Sequence, residues 1–309
     1  MSKNLINYQV TPKELALVAE CTVSHGDVPF QLEGFPFQWI SPGSFPMGNL
    51  WHQSSDWDLK GQSDELPIRC LHLEGFWIAQ DLISMNDLLA NWSSLQHFGC
   101  SEFLGAWQDQ KYQLLKREFK EHKLAELPAY LINWFEAKCF AQWWTENLMP
   151  KVLREEWAAD LPTEAEWEKA ASWSVVKDTG YERGHKYPFN LGGSEFSKGT
   201  IAHINGIKQY PEALMILEEG VNRLRGMSGN LWEWCRDWYQ RDFYEQSPTG
   251  VECKEAPDNN LSQRRVLRGG CWLNTIRRVR TCNRLGEIPT LNSHKIGFRL
   301  VLRRRKVAL

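Results

Sequence analysis

The 309-residue chain contains no stretch approaching the ~20 uninterrupted apolar residues of a membrane span. Its most apolar stretch, Pro128 to Trp144, carries Glu136 and Lys138 and reads as an amphipathic helix. The opening Met-Ser-Lys-Asn-Leu-Ile-Asn lacks the apolar core of a secretory signal. Eight cysteines (21, 70, 100, 139, 235, 253, 271 and 282) include no C-x-x-C pair, so they are read as reduced thiols of a cytoplasmic protein. The eight histidines are too dispersed for a local metal cassette, and each reads as a surface or satisfied core residue. Also missing are G-x-S-x-G, G-x-x-x-x-G-K-[ST], H-E-x-x-H and H-x-x-x-H-x-E. Charge is nearly balanced, with 36 basic against 38 acidic side chains and a net of −2. That balance disfavours a protein that coats nucleic acid or a membrane surface.

Aromatic residues, by contrast, are plentiful: 16 Trp, 14 Phe and 8 Tyr, within a hydrophobic fraction of 42% that suffices for a large core. Trp outnumbering Tyr points to flat rings wedged between irregular segments. Charge is unevenly placed. From Arg264 to Leu309, eleven Arg and two Lys face Glu287 alone, a net of +12. Either this basic tail docks on the acidic body, its arginines acting as internal struts, or it faces an acidic partner.

Residues 1–34 read as a lead-in with a short helix at Pro12–Cys21, and residues 35–309 as one domain. Strand, turn and strand are expected in Phe35–Gly48, and a strand pair in Ile68–Ile78. Ser84–Gln96 starts as a helix on Ser84 with Asp87 three residues on. Gln108–Glu126 reads as a solvated helix within an insertion at 98–128, followed by a helix over Leu131–Asn147. Thr163 and Glu166 form a capping box. Segments 174–225 and 239–263 read as loops, and strands resume at Arg265–Leu267 and Gly297–Leu302. Without regular βαβ alternation, the fold class is α+β.

Local motifs then follow in order. Phe45-Pro-Met-Gly48 precedes Asp64-Glu-Leu-Pro67, Leu73-x-x-Phe-Trp-Ile78 and Leu127-Pro-Ala-Tyr130. Next come Trp134-x-x-Ala-x-x-Phe140, Leu161-Pro-Thr-Glu-Ala-Glu-Trp-Glu168 and Gly226-Met-Ser-Gly-Asn-Leu-Trp-Glu-Trp-Cys-Arg-Asp-Trp238. Arg265-Val-Leu-Arg-Gly-Gly-Cys-Trp272 and Ile296-Gly-Phe-Arg299 close the series. From about Phe35 to Leu302 this series resembles the formylglycine-generating enzyme (sulfatase-modifying factor) family. The resemblance implies a fold related to C-type lectins, with little regular structure and a core of Trp and Gly positions. Gly229, Gly269, Gly270 and Gly297 would then occupy backbone conformations or close approaches closed to other residues.

Enzymes of that family carry two copper-binding cysteines four and nine residues after the second Gly of R-G-G, and oxidise a substrate cysteine with oxygen. Those positions are Asn274 and Val279 here, and neither can replace a thiolate on copper(I). Cys271 and Cys282 have the wrong spacing for the familiar site. A second branch, the sulfoxide synthases, binds iron through histidines on an added N-terminal helical domain, whereas 34 residues precede the shared region here. Calcium is the one cofactor candidate. The family's N-x-x-G-N-x-x-E segment implies Glu233 and the carbonyls of Gly229 and Leu231, weakened by Gly226 in place of the first Asn.

The resulting expectation is a non-catalytic recognition or scaffold module. Its ligand or protein partner would sit on a C-terminal surface over 272–296, built from Trp272, Leu273, Asn274, Thr275, Arg278, Asn283, Asn292 and His294. The partner is acidic if the tail's charge faces outward; neither a membrane nor nucleic acid is expected. In a sharper form the stretch resembles the variable proteins of diversity-generating retroelements. Eleven residues between Leu273 and His294 are reachable by adenine mutagenesis of Asn codons, while Glu287 and Lys295 are not. The alternative is a metal- and oxygen-dependent oxidase of the formylglycine-generating or sulfoxide-synthase type.

Overall fold

The computed structural model describes residues 36–98, 109–122, 127–178, 181–190, 211, 214, 217–254 and 263–305. The helix expected at Pro12–Cys21 lies outside them. One four-stranded sheet runs in the order β1 (Phe37–Ile40), β4 (Phe76–Ala79), β12 (Val301–Arg304), β5 (Trp157–Asp160), every pair antiparallel. β4 is apolar throughout and buried throughout, as a central strand covered on both faces must be. Trp39 on β1 lies opposite Trp77 on β4, with ring centroids 5.5 Å apart, and Trp157 on β5 meets Trp39 edge-on at 6.3 Å.

A second sheet is ordered β10 (Arg284–Glu287), β9 (Arg265–Arg268), β8 (Trp232–Trp238), β11 (Ile296–Gly297). Two-stranded pairs join β2 (Gly43–Met47) to β3 (Arg69–Leu73) and β6 (Trp173–Asp178) to β7 (Tyr181–Lys186). Strands occur in both Phe35–Gly48 and Ile68–Ile78, but neither segment is a hairpin. The bends at Ser41–Pro42 and Glu74–Gly75 send each following strand to a different sheet, so β1 pairs with β4 and β2 with β3. The loop expected from residue 174 onward is corrected over 174–178 and 181–186, where β6 and β7 form a ladder.

The helix expected from Ser84 begins at Met85, with Ser84 accepting from the Asp87 N–H at 3.0 Å, and breaks at Asn91 before a second helix at Trp92–Phe98. A helix does span Asp109–His122, but it is not simply solvated. Leu115 is fully buried, Tyr112 packs on Trp92 at 5.4 Å and Lys111 pairs with Glu136. Trp134–Asn147 carries a capping box made by Asn133 and Glu136.

Glu164–Ser172 is the central helix, opened by the Thr163–Glu166 capping box and buried along all nine residues. Four of those residues are ionisable, so each needs a partner inside the protein. Glu164 receives Arg284 Nε at 2.6 Å and Glu166 receives Arg303 Nε at 2.5 Å. Glu168 receives Lys186 Nζ at 2.5 Å together with Arg268, and Lys169 donates to the carbonyls of Ser41 and Gly43 at 2.8 and 2.9 Å. Helix, both sheets and both strand pairs are thereby clamped around one charged axis.

Candidate functional site

The stretch from Gly269 to Lys295 leaves β9 through two glycines of positive φ, Gly269 at +94° and Gly270 at +77°. A Cβ on Gly270 would come within 2.7 Å of Val279 Cγ1 and 2.8 Å of the Arg278 carbonyl, so only glycine lets the following turn fold back. The Trp272 N–H donates to the Asn230 carbonyl and the Trp232 N–H to the Lys295 carbonyl, at 2.9 and 2.8 Å. Asn230–Trp232 therefore holds the two ends of the stretch side by side.

The expected surface residues divide between display and support. Leu273, Thr275, Arg278, Asn292 and His294 are exposed, whereas Trp272 is half-buried against the main apolar core. The Asn274 side-chain oxygen accepts from the Cys271 N–H at 2.8 Å, fixing the turn rather than facing a ligand. Asn283 is fully buried, with its amide nitrogen donating to the Arg278 carbonyl at 3.0 Å. Asn292 accepts from Lys111 Nζ at 2.7 Å, and the His294 ring lies 5.3 Å from that of Tyr130. Lys111 places the Asp109–His122 helix beside this surface, a neighbour that sequence spacing could not indicate.

Part of the basic tail is internal. Arg280 makes a paired contact with Glu65 at 2.6 and 2.8 Å, and Arg284 does the same with Glu164 at 2.6 and 3.0 Å. Arg268, Arg280, Arg284 and Arg299 are all essentially without exposure. Of the two readings of the tail's charge, the docked one describes these residues, and an outward-facing reading survives at half-buried Arg277 and at exposed Arg278, Lys295, Arg304 and Arg305. Arg277 gives its Nε and a terminal nitrogen to the carbonyls of Lys60 and Gly61, at 2.7 and 3.2 Å. Its guanidinium lies 4.3 Å from the ring of Trp57, which is 64% exposed. A cavity of about 160 Å³ opens between these groups, lined by Gln62, Arg277, Arg278, Arg280 and Asn283. Trp57 and Gln62 were not anticipated; the one hint was a second Trp within the polar segment 51–63.

The metal positions were tested against their surroundings. Val279, at the second copper position, sits in an apolar cluster with Leu50, Trp51, Leu59, Phe189 and Ile276. With Asn274 holding the Cys271 N–H, the two positions do not fit copper(I). Cys271 and Cys282 are buried, and burial pushes both thiols up, Cys282 to about 12. Thiols so shifted are protonated and poorly nucleophilic near neutral pH. Glu233 does not fit calcium either. Arg299 donates to both its oxygens at 2.6 and 2.7 Å, and Trp167 Nε1 donates to one of them at 2.8 Å. Gly229 and Leu231 thus flank a carboxylate already neutralised by a guanidinium. Among the described residues no group of three or more His, Cys, Asp or Glu is placed to hold a metal ion. The expectation of uniformly reduced thiols is corrected at Cys139, which is disulfide-bonded, and the cytoplasmic placement loses that support. No described helix is long and apolar enough to cross a membrane.

Known proteins share this framework. The serine/threonine-protein kinase Pkn1 of Chlamydia trachomatis is 28% identical over 77% of this chain, which spans 35% of that protein. The formylglycine-generating enzyme of Streptomyces coelicolor is 28% identical over 56% of this chain and 51% of its own. The chain therefore spans about a third to a half of the curated relatives it matches. PvdO from Pseudomonas aeruginosa superposes with a TM-score of 0.59 at 17% identity, covering 87% of this chain and 93% of PvdO. Variable protein 1 of Treponema denticola gives 0.52 at 16%, covering 88% and 97%. At these identities the two structures speak for the fold alone. The model of the sulfatase-modifying factor enzyme 1-like domain matches residues 35–304, with the motifs, glycines and buried tryptophans described above, and the chain belongs to that FGE-sulfatase family.

Proposed function

We propose that this domain is a non-catalytic recognition or scaffold module that binds a protein partner through its 272–296 surface. One observation carries the reading: both positions where the family places copper thiolates serve packing. Asn274 holds a backbone N–H and Val279 fills an apolar cluster. The exposed set of Leu273, Thr275, Arg278, Asn292 and His294, on a backbone braced by buried arginines, supports the same reading. The oxidase alternative would need ligands from outside the described residues.

In its finer form, a diversified variable patch, display is confined to the exposed positions, since Thr281 and Asn283 are fully buried. A reverse transcriptase and a near-identical template repeat in the neighbouring DNA would support that form; their absence would remove it. The general reading is tested by replacing Leu273, Thr275, Arg278 and His294 together with Ala. The variant should keep its melting temperature and lose a partner that the wild type recovers by pull-down. Retention of every partner would place recognition elsewhere. Copper-dependent conversion of a sulfatase-peptide cysteine to formylglycine, read by mass spectrometry, would return the domain to the enzymes.

A further inference from the structure

The cavity beside the Ile276–Val279 turn has an excess of positive charge. Of its three arginines, Arg280 is neutralised by Glu65. Arg277 meets only carbonyl oxygens and the Trp57 ring, and Arg278, which is exposed, makes no side-chain hydrogen bond or ion pair among the described residues. Among the described residues, two guanidinium charges are therefore left without a counter-ion at one small opening. Asn283, fully buried in the same wall, uses its amide nitrogen on the Arg278 carbonyl, and its side-chain oxygen has no donor. A buried acceptor without a donor is uncommon, and one beside a cavity marks a place where a ligand group is wanting.

We propose that this cavity takes the carboxylate of an acidic residue in a partner polypeptide, a proposal that rests on the recognition reading above. Guanidinium and carboxylate match as two parallel N–H···O bonds, and Arg278 has all its donors available. The volume, about 160 Å³, suits an acidic side chain and is well below the several hundred Å³ of a pocket for a cofactor-sized ligand. A peptide also carries a permanent N–H donor close to each acidic side chain, of the kind that Asn283 lacks. Trp57, 64% exposed and stacked with Arg277, gives flanking peptide residues a flat apolar surface.

Fluorescence anisotropy with a labelled twelve-residue peptide of alternating Glu and Gly tests this on the full chain. Arg278→Ala should weaken binding by about tenfold, and Trp57→Ala should weaken it as well. Lys151→Ala, the same charge change at an exposed site outside the surface, should alter it by less than about twofold. Equal losses for Arg278→Ala and Lys151→Ala would mean diffuse attraction and overturn the proposal. So would failure of the wild type to bind, or preference for a Gly-Ser peptide carrying phosphoserine. Pull-down separates the two readings. A partner lost by the fourfold variant but kept by Arg278→Ala leaves the recognition surface standing and removes the cavity from it. A partner lost by Arg278→Ala but kept by a triple Ala variant of Leu273, Thr275 and His294 keeps the cavity and removes the wider surface.

Discussion

The Glu233–Arg299 pair is where residue chemistry bears most directly on function. Arg299 also donates to the carbonyls of Ala79, Gln80 and Arg225, so one side chain ties the end of β4 to β8. Glu233→Ala would leave that guanidinium buried and uncompensated, and a loss of about 3–5 kcal/mol in urea unfolding is expected. Calcium chelation, by contrast, should shift the melting temperature little; a large shift on adding chelator would show that oxygens other than Glu233 hold the ion. Thiol reactivity gives an independent reading at the same scale. Burial pushes Cys235 and Cys253 up, the latter to about 12, as it does Cys282. Among the described free cysteines, half-buried Cys70 should therefore react first with a thiol reagent, the buried four only on unfolding. Rapid labelling of Cys271 or Cys282 in the native protein would contradict their burial.

Among the elements, the Glu164–Ser172 helix shows both what sequence reveals and what it hides. Its start was legible because a capping box is local chemistry: Thr163 and Glu166 need only each other's backbone. That its whole circumference is buried was not legible, because a nine-residue helix with four ionisable side chains reads as half-solvated until its partners, up to 137 residues away, are known. The pairing predicts an acid limb. Burial alone would raise Glu164, but Arg284 and Arg268 overcome it and hold the carboxyl below its usual 4.5. Burial likewise opposes the shift of Asp160 below 3.8, and the charges of Lys138 and Arg303 outweigh that burial. A carboxylate held low in the folded state stabilises it above the unfolded value and loses that contribution as pH falls through the folded one. The contribution of these two carboxylates should thus be level from neutrality down to about pH 4.5 and fall below it. Glu164→Gln should flatten that acid limb while lowering stability at neutral pH, as read from urea melts across the range. Thr163→Ala should cost about 1 kcal/mol through the cap alone.

Across the whole molecule, the +12 of the tail explains why the site was only partly legible. Arg277, Arg278, Arg280 and Arg284 look alike in sequence, yet Arg280 and Arg284 end on buried acids and Arg278 faces solvent. Their fates depend on Glu65 and Glu164, which no local pattern connects to them. The order of motifs carried the fold because family glycines and tryptophans mark close backbone approaches. Strand partners went unread because β12 closes a sheet begun at β1, some 260 residues earlier. These long-range charge ties join both sheets to one helix, so unfolding is expected to be a single transition. Near-ultraviolet and far-ultraviolet dichroism should then melt together, and separate midpoints would show that the sheets are independent units.

In the Gly270–Lys295 stretch, the side chains that set the backbone and the side chains that meet solvent are different residues. Arg280, Asn283 and Arg284 point inward, while Leu273, Thr275, Arg278, Thr290 and Asn292 point outward. The outward positions can be randomised as a library with the inward ones held fixed, and most members should fold as the parent does. The same division would let new specificities be selected from this surface without rebuilding the body beneath it.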